Sequence, residues 1–475
     1  MPGPETIRDY LDTVTAQIRW KRARAAAVRE LETHLEDQRQ EFQTEGHPPE
    51  EAERLAVEEM GDPVAVGTDL DRLHRPRPQW GMLGILAAAL ILWLMLRLNE
   101  QWTFYGLDYF PRDAATVLLA AGAAAAVYLG DYTLLAKRPL ALALVITAGT
   151  VLGGAIQFRL DHIYDWGHYW ILLLPLAAAL TVYGLRNQGV RGLAVSCLIC
   201  AVPAICYSFS PIDDLLAPLG WAPIIGVSLL CNTVILAFGV QSGWFGGRRR
   251  NWLPVAAYIL VVLCCLAVSL PHFWWWSEIQ NPDSWLRASE MAYAQDVVGN
   301  ARLAGMANAF PETQERLLLF WEKKISSCNG LMLAVLGNFG WLAFGLIQVP
   351  TAVLLGFGWR KCLHQKSALG RLVGIAVLLT LTWQTLAIVA QDLIGFEGLL
   401  TCFPYPFLND GGMALLLDCA LLGLLLSIFR EETIIRDVPV PQAPKKARRN
   451  TRPPFPAAVS LTLSASMLMI PCVRS

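Results

Sequence analysis

The sequence predicts an all-α, polytopic membrane protein: ten transmembrane helices preceded by a small N-terminal cytoplasmic helical domain. Three observations carry this. The chain has 475 residues, of which 55% are hydrophobic and only 16% charged, where ordinary soluble domains carry about 25%. Its mean hydropathy is +0.41. The charges are also crowded at one end: 28 of the 77 Asp, Glu, Lys and Arg lie in the first 79 residues. These figures exclude a disordered chain, a secreted disulfide scaffold and a soluble α/β enzyme. The net charge of −1 averages opposite local biases. No basic, aromatic-interleaved face is present, so nucleic acid is not an expected partner.

The first unit is 1–78. Ile7, Tyr10, Leu11, Val14 and Ile18 share one helical face, and Val28, Leu31, Leu35 and Phe42 share another. Pro48-Pro49 opens a third helix that ends at Met60-Gly61. Asp62-Pro63 supplies an N-cap and an N1 proline for a fourth, with Val66, Leu70 and Leu73 inward. His34, His47 and His74 have no metal-ligand spacing, and the stretch from Pro76 to Pro78 is a stiff joint. The polar N-terminus has no early apolar run and is read as carrying no secretory signal. Tyr10-Leu11, Glu30-Leu31, His34-Leu35, Gly46, Glu51-Ala52 and Met60-Gly61-Asp62-Pro63 with Leu70 resemble the permease-prefix domain found ahead of varied membrane proteins of anaerobic Gram-positive bacteria. That resemblance implies a regulatory or adaptor module without chemistry of its own.

The second unit is 79–436. A membrane helix needs about 20 apolar residues. Ten runs qualify, in 80–98, 113–135, 140–158, 169–185, 193–209, 221–240, 253–272, 329–357, 372–395 and 411–429, the fourth and fifth being the shortest. Lys and Arg set the orientation. Arg72, Arg75 and Arg77 precede the first span. Lys137-Arg138, Arg186 with Arg191, Arg248 to Arg250, Arg360-Lys361 with Arg371, and Arg430 with Arg436 follow the even-numbered ones. The opposite loops carry Asp108, Asp161, Asp165, Asp213, Asp214, Glu397 and Asp410. This alternation puts both termini in the cytoplasm and fits a count of ten. Trp80 and Trp274 to Trp276 mark interfaces.

The external segment 273–328 is long and of mixed charge, and long loops in compact proteins are usually functional. Asn232, Gln384, Gln391 and Asp418 are polar within spans and are expected to face the interior. Gln391 is placed to hydrogen-bond the loop before the last span. Asp131 and Asp418 are read as near the cytoplasmic ends, within reach of water. The cysteines, mostly inside apolar runs, read as free buried thiols without ligand spacing. The segment 437–475 is a basic, Pro-rich tail, with Lys445, Lys446, Arg448, Arg449 and Arg452, suited to a disordered arm on anionic membrane lipids. Within it, 456–472 is read as interfacial or disordered.

The strongest local signal is Phe403-Pro404-Tyr405-Pro406-Phe407-Leu408-Asn409-Asp410-Gly411-Gly412. Prolines hold such a segment extended, and Gly-Gly permits close backbone approach. On chemistry alone this is a tight re-entrant membrane turn. It also resembles the hallmark P-x-P-F-x-S-x-G-G of the FtsW/RodA/SpoVE (SEDS) family, with Asn409 in the serine position. Pro203 with Pro211-Ile212-Asp213, Asn281-Pro282-Asp283 and Phe310-Pro311-Glu312 are similar to further segments of that family. The resemblance implies a multi-pass bacterial plasma-membrane protein that polymerises lipid II into glycan strands, in cell division or cell-shape growth, beside a class B penicillin-binding protein. It implies Asp283 as the catalytic carboxylate, and Pro404, Pro406, Phe407, Asn409, Gly411 and Gly412 as substrate-side residues.

Glycosyl transfer needs a base for the acceptor 4-hydroxyl and stabilisation of a diphosphate leaving group. Arg287, four residues past Asp283, is the candidate for binding that diphosphate; an exposed ion pair with Asp283 is the plainer account. No cofactor or metal ligand set is required, and a divalent cation stays open. Some family features are missing. Tyr164 to Trp170 stands where Q-P-S-E-x-x-K is expected, Gly337-Asn338 replaces an acidic pair, and His272 to Trp276 replaces a Tyr- and Arg-rich end. A non-catalytic lipid-II-binding or scaffold protein is therefore the alternative. A permease ranks third, since no paired broken helices or repeated halves are visible.

Overall fold

The computed structural model describes residues 6–74, 78–104, 110–159, 169–208, 224–246, 250–278, 297–306, 330–388, 405–408 and 412–431, and among these it is all-helical. Val438–Ser475 forms a separate unit outside the described residues.

Four helices come first: α1 (Ile7–Gln17), α2 (Lys21–Thr44), α3 (Pro49–Met60) and α4 (Pro63–His74). Local chemistry sets their ends. Thr6 caps α1 by accepting the Asp9 N–H at 3.2 Å, and Asp62 accepts the Val64 N–H at 3.1 Å. Gly61, at φ 80°, stops α3 in a conformation suited to glycine. The helices enclose their own core around Tyr10, Val14, Ile18, Leu35 and Ala56. The Tyr10 hydroxyl donates to the Met60 carbonyl at 3.4 Å. Burial, with Asp62 nearby, pushes that hydroxyl up to about 12, so it stays a donor. Leu73 departs from expectation: it is 57% exposed, while Val66 and Leu70 pack inward.

The apolar body follows: α5 (Trp80–Phe104), α6 (Phe110–Leu129), α7 (Pro139–Arg159), α8 (Leu174–Leu185), α9 (Gly189–Ser208), α10 (Ile224–Gln241), α11 (Trp252–Glu278), α12 (Gly330–Phe339), α13 (Trp341–Leu363), α14 (Ala368–Ile388) and α15 (Gly412–Arg430). Among the described residues eight helices are long and apolar enough to span a membrane; Pro139–Gly153 and Tyr169–Leu185 are shorter apolar helices. Each of the ten expected runs contains a helix among its described residues. The third, expected to be full length, is short in its described apolar part, and the fifth, expected to be short, has spanning length.

The basic segments gather at one end of the bundle, as their alternation predicts. Ser427 Oγ donates to the Gly130 carbonyl at 3.0 Å, joining the ends of the last and second spans. The Asn187 N–H donates to the Trp244 carbonyl at 2.9 Å, joining the segments after α8 and α10. Cations there lie over aromatic rings: Arg186 over Tyr183 at 3.8 Å, Arg430 over Tyr128 at 4.8 Å and Arg371 over Phe238 at 4.9 Å. This arrangement covers apolar surface with the ring while the charge stays at the boundary.

Two helices depart from the sequence expectation. The eighth run is not one helix over 329–357 but α12 and α13, separated at Gly340 (φ 84°). Part of the long segment 273–328 covers the break. The Trp341 and Leu342 N–H groups donate to the Arg302 and Leu303 carbonyls at 3.0 and 2.9 Å, and the Gly305 N–H donates to Phe339 at 3.1 Å. Backbone groups freed by the break are therefore satisfied, as a buried interruption requires. The second departure is a π-turn over Ser228–Asn232 within α10. The Tyr258 hydroxyl donates to the Ser228 carbonyl there at 2.6 Å.

A Cβ on Gly340 would lie 2.5 Å from the Arg302 carbonyl oxygen, in addition to the positive φ. Gly340→Ala is expected to cost about 2 kcal/mol or more, from strain and displacement of that backbone together. A lower thermal midpoint in detergent, with faster deuterium exchange at Trp341 and Leu342, checks it. Unchanged exchange there would show that the segment around Arg302 and Leu303 does not hold the break.

Candidate functional site

The site is the turn Tyr405–Leu408 and the three helices around it. Tyr405 is fully buried, and Phe407 and Leu408 are 4% and 3% exposed. The Tyr405 hydroxyl donates to Gln348 Oε1 at 2.6 Å and lies 3.0 Å from Thr351 Oγ1, both on α13. The Phe407 N–H donates to Asp418 Oδ2 on α15 at 3.2 Å. The other Asp418 oxygen accepts from Gln384 Nε2 of α14 at 3.0 Å. Asp418 is six residues into α15 and Gln348 seven into α13. At 1.5 Å per residue, the turn descends about 9–10 Å into the bundle. It enters from the end opposite the basic segments, where α13 and α15 begin.

Sequence and geometry explain each other here. Pro406 fixes one backbone angle of the turn. Phe407 then takes φ 65°, a conformation that costs a non-glycine residue about 1–2 kcal/mol. Burial of its ring offsets this at about 25 cal/mol per Å² of apolar area, and its amide finds a carboxyl acceptor in Asp418. In a membrane interior no water is available to serve that amide.

The reading of Asp418 as near the cytoplasmic end and reached by water is corrected. It is fully buried in the first third of α15, with both oxygens engaged. Asn232 and Gln384 are buried, as expected of polar residues in spans. Asp131 does sit at a boundary, where it caps the short helix Tyr132–Ala136 through the Thr133 N–H at 2.9 Å.

Of the expected site residues, Phe407 is held to α15 through Asp418, Pro406 is buried in the same turn, and Gly412 opens α15. Asp283, Arg287, Pro404, Asn409, Gly411 and Gln391 lie outside the described residues. Gly412 opens α15 against α6: a Cβ there would come 2.9 Å from the Thr116 methyl. Among the described residues no group of three or more His, Cys, Asp or Glu is arranged to hold a metal ion. The eight described cysteines are free, and six of them are buried.

A charged pair near the same mouth was not anticipated. Arg97 Nε donates to Asp113 Oδ2 at 3.2 Å, with side chains only 14% and 4% exposed. Asp113 lies three residues before Thr116, so the pair sits about one helical turn from the Gly412 contact. Arg97 also lies over the Trp93 ring at 5.9 Å. The available signal was an arginine near the end of one apolar run and an aspartate at the start of the next. Charges so placed on a helical hairpin can pair across it.

No family model matches the chain, and no curated protein matches it. Among solved structures, a chain described under structural coordination of polymerization and crosslinking by a peptidoglycan synthase complex is similar at 16% identity, with TM-score 0.38, over 75% of this chain and 98% of that one.

Proposed function

We propose that this protein is a SEDS-type peptidoglycan glycosyltransferase that polymerises lipid II at the outer membrane face during cell division or cell-shape growth. The observation that carries this reading is the Tyr405–Leu408 turn, the described part of the Pro-x-Pro-Phe segment, which lies folded into the bundle at the mouth opposite the basic end. In the proposed reaction Asp283 takes the proton of the acceptor sugar 4-hydroxyl. That oxygen attacks the donor's anomeric carbon, the bond from this carbon to the diphosphate oxygen breaks, and the lipid diphosphate leaves beside Arg287. A class B penicillin-binding protein is the proposed partner.

One observation favours a non-catalytic, lipid-II-binding scaffold instead. Where the family's acidic pair is expected, Gly337 packs 3.6 Å from Val297, as measured from its would-be Cβ, and the neighbouring Asn338 is exposed and uncharged. Labelled lipid II, incubated with the full chain alone and with class B partners, separates the two. Polymer is expected from the wild type, with a loss of at least about 100-fold in Asp283→Ala, the range of a lost general base. Polymer from both proteins would remove Asp283 from its role. Bound lipid II without polymer, beside an active control complex, would establish the scaffold.

A further inference from the structure

Asp418 is fully buried in a spanning helix, and among the described residues no Lys, Arg or His pairs with it. An isolated carboxyl group is expensive there, and leucine would serve helix and packing better. What Asp418 supplies is an acceptor for the Phe407 amide. Among the described residues, no backbone–backbone hydrogen bond outside the helices involves 405–408. Among the described residues the turn is tied to the helices by side chains: Asp418 from α15, and Gln348 with Thr351 from α13 through the Tyr405 hydroxyl.

We propose that Asp418 is a positioning residue: as a hydrogen-bond acceptor it latches the Tyr405–Leu408 turn inside the bundle, and so sets the register of the chain that leads into α15. Its value to the transfer reaction rests on the polymerase reading; the latch itself does not. The role belongs to the acceptor and not to the charge. In Asp418→Asn the amide oxygen still accepts from Phe407, while its NH2 donates to Gln384 once that amide rotates. Gln384 Oε1, which has no partner among the described residues, then gains one. Asp418→Leu offers no acceptor and leaves the Phe407 amide unpaired.

The test uses the full chain with Leu408→Cys, a position 3% exposed in the native fold, and a water-soluble maleimide. With Asp418 intact the thiol is expected to react slowly. Asp418→Leu is expected to speed labelling at least tenfold, Asp418→Asn to leave it within about twofold, and Tyr405→Phe to raise it through the other attachment. Buried native Cys200, unlabelled throughout, reports an intact bundle. In the lipid II assay, without the reporter cysteine, Asp418→Leu is expected to lose at least tenfold in rate and Asp418→Asn to retain it. Slow labelling in Asp418→Leu overturns the latch, as does labelling of Asp418→Asn as fast as Asp418→Leu. If the wild type makes no polymer while labelling follows the expected order, the polymerase reading fails and the latch stands.

Discussion

Gly423→Leu is expected to be among the most damaging single changes in the bundle. A Cβ at Gly423 would lie 2.5 Å from the Ala124 carbonyl oxygen, 3.0 Å from its Cα and 3.1 Å from its carbonyl carbon. These are backbone atoms of α6, so no side chain can rotate away. The helices must separate, and leucine would add three more carbons at the point of closest approach. In lipid, helix association gains little from the hydrophobic effect and depends on close packing, which small residues allow. Separation would also pull Ser427 and Arg430 from the Gly130 carbonyl at the basic end and disturb the Gly412–Thr116 contact at the other. Overpacking of this kind costs about 3 kcal/mol or more, and a thermal midpoint lower by about 3 °C or more is the corresponding order for a chain of this length. Gly423→Ala is expected to fall between. Gly122→Leu is the control, since nothing lies within 4 Å of a Cβ there. Equal midpoints for Gly423→Leu and Gly122→Leu would show that the two helices do not pack at this point.

Such contacts mark the boundary of what the sequence discloses. Apolar runs, the Met60-Gly61-Asp62-Pro63 stop and start, and the one-sided lysines and arginines depend on local chemistry or on the two faces of a membrane. They were legible, and the structure repeats them. The turn before α15 was legible as a re-entrant element because Pro, Pro and Gly-Gly restrict the backbone whatever surrounds them. Its depth was not. Asp418 was placed near water because distance along an apolar run says nothing about a loop folding back over it. Gln384, Gln348 and Tyr405 come from three segments separated by more than ten residues, and their meeting is a property of packing alone. The break at Gly340 was hidden because the run 329–357 stays apolar through it. Only the carbonyls of Arg302 and Leu303, contributed by a distant loop, make the interruption tolerable.

The Arg97–Asp113 pair gives the sharpest stability test, because removing one partner and removing both are expected to differ in size. Each side chain is largely withdrawn from solvent. Taking away one breaks this buried ion pair, and breaking a buried pair costs about 3–5 kcal/mol in comparable settings. Arg97→Leu and Asp113→Leu should each lower the thermal midpoint sharply. The double variant removes both desolvated charges and places apolar groups in an apolar hairpin, so it should recover most of the loss. Arg112, whose Nε is 3.9 Å from the other Asp113 oxygen, has a side chain 70% exposed, and Arg112→Ala should change little, as exposed pairs do. A double variant no more stable than either single one would mean that Arg97 and Asp113 act through separate partners. The pair also bears on the site. Asp113 lies one turn from the Thr116–Gly412 contact, so loosening α6 there would loosen the start of α15. The single variants should therefore speed labelling of a cysteine at 408 modestly, by less than Asp418→Leu does, and the double variant should return it toward the native rate.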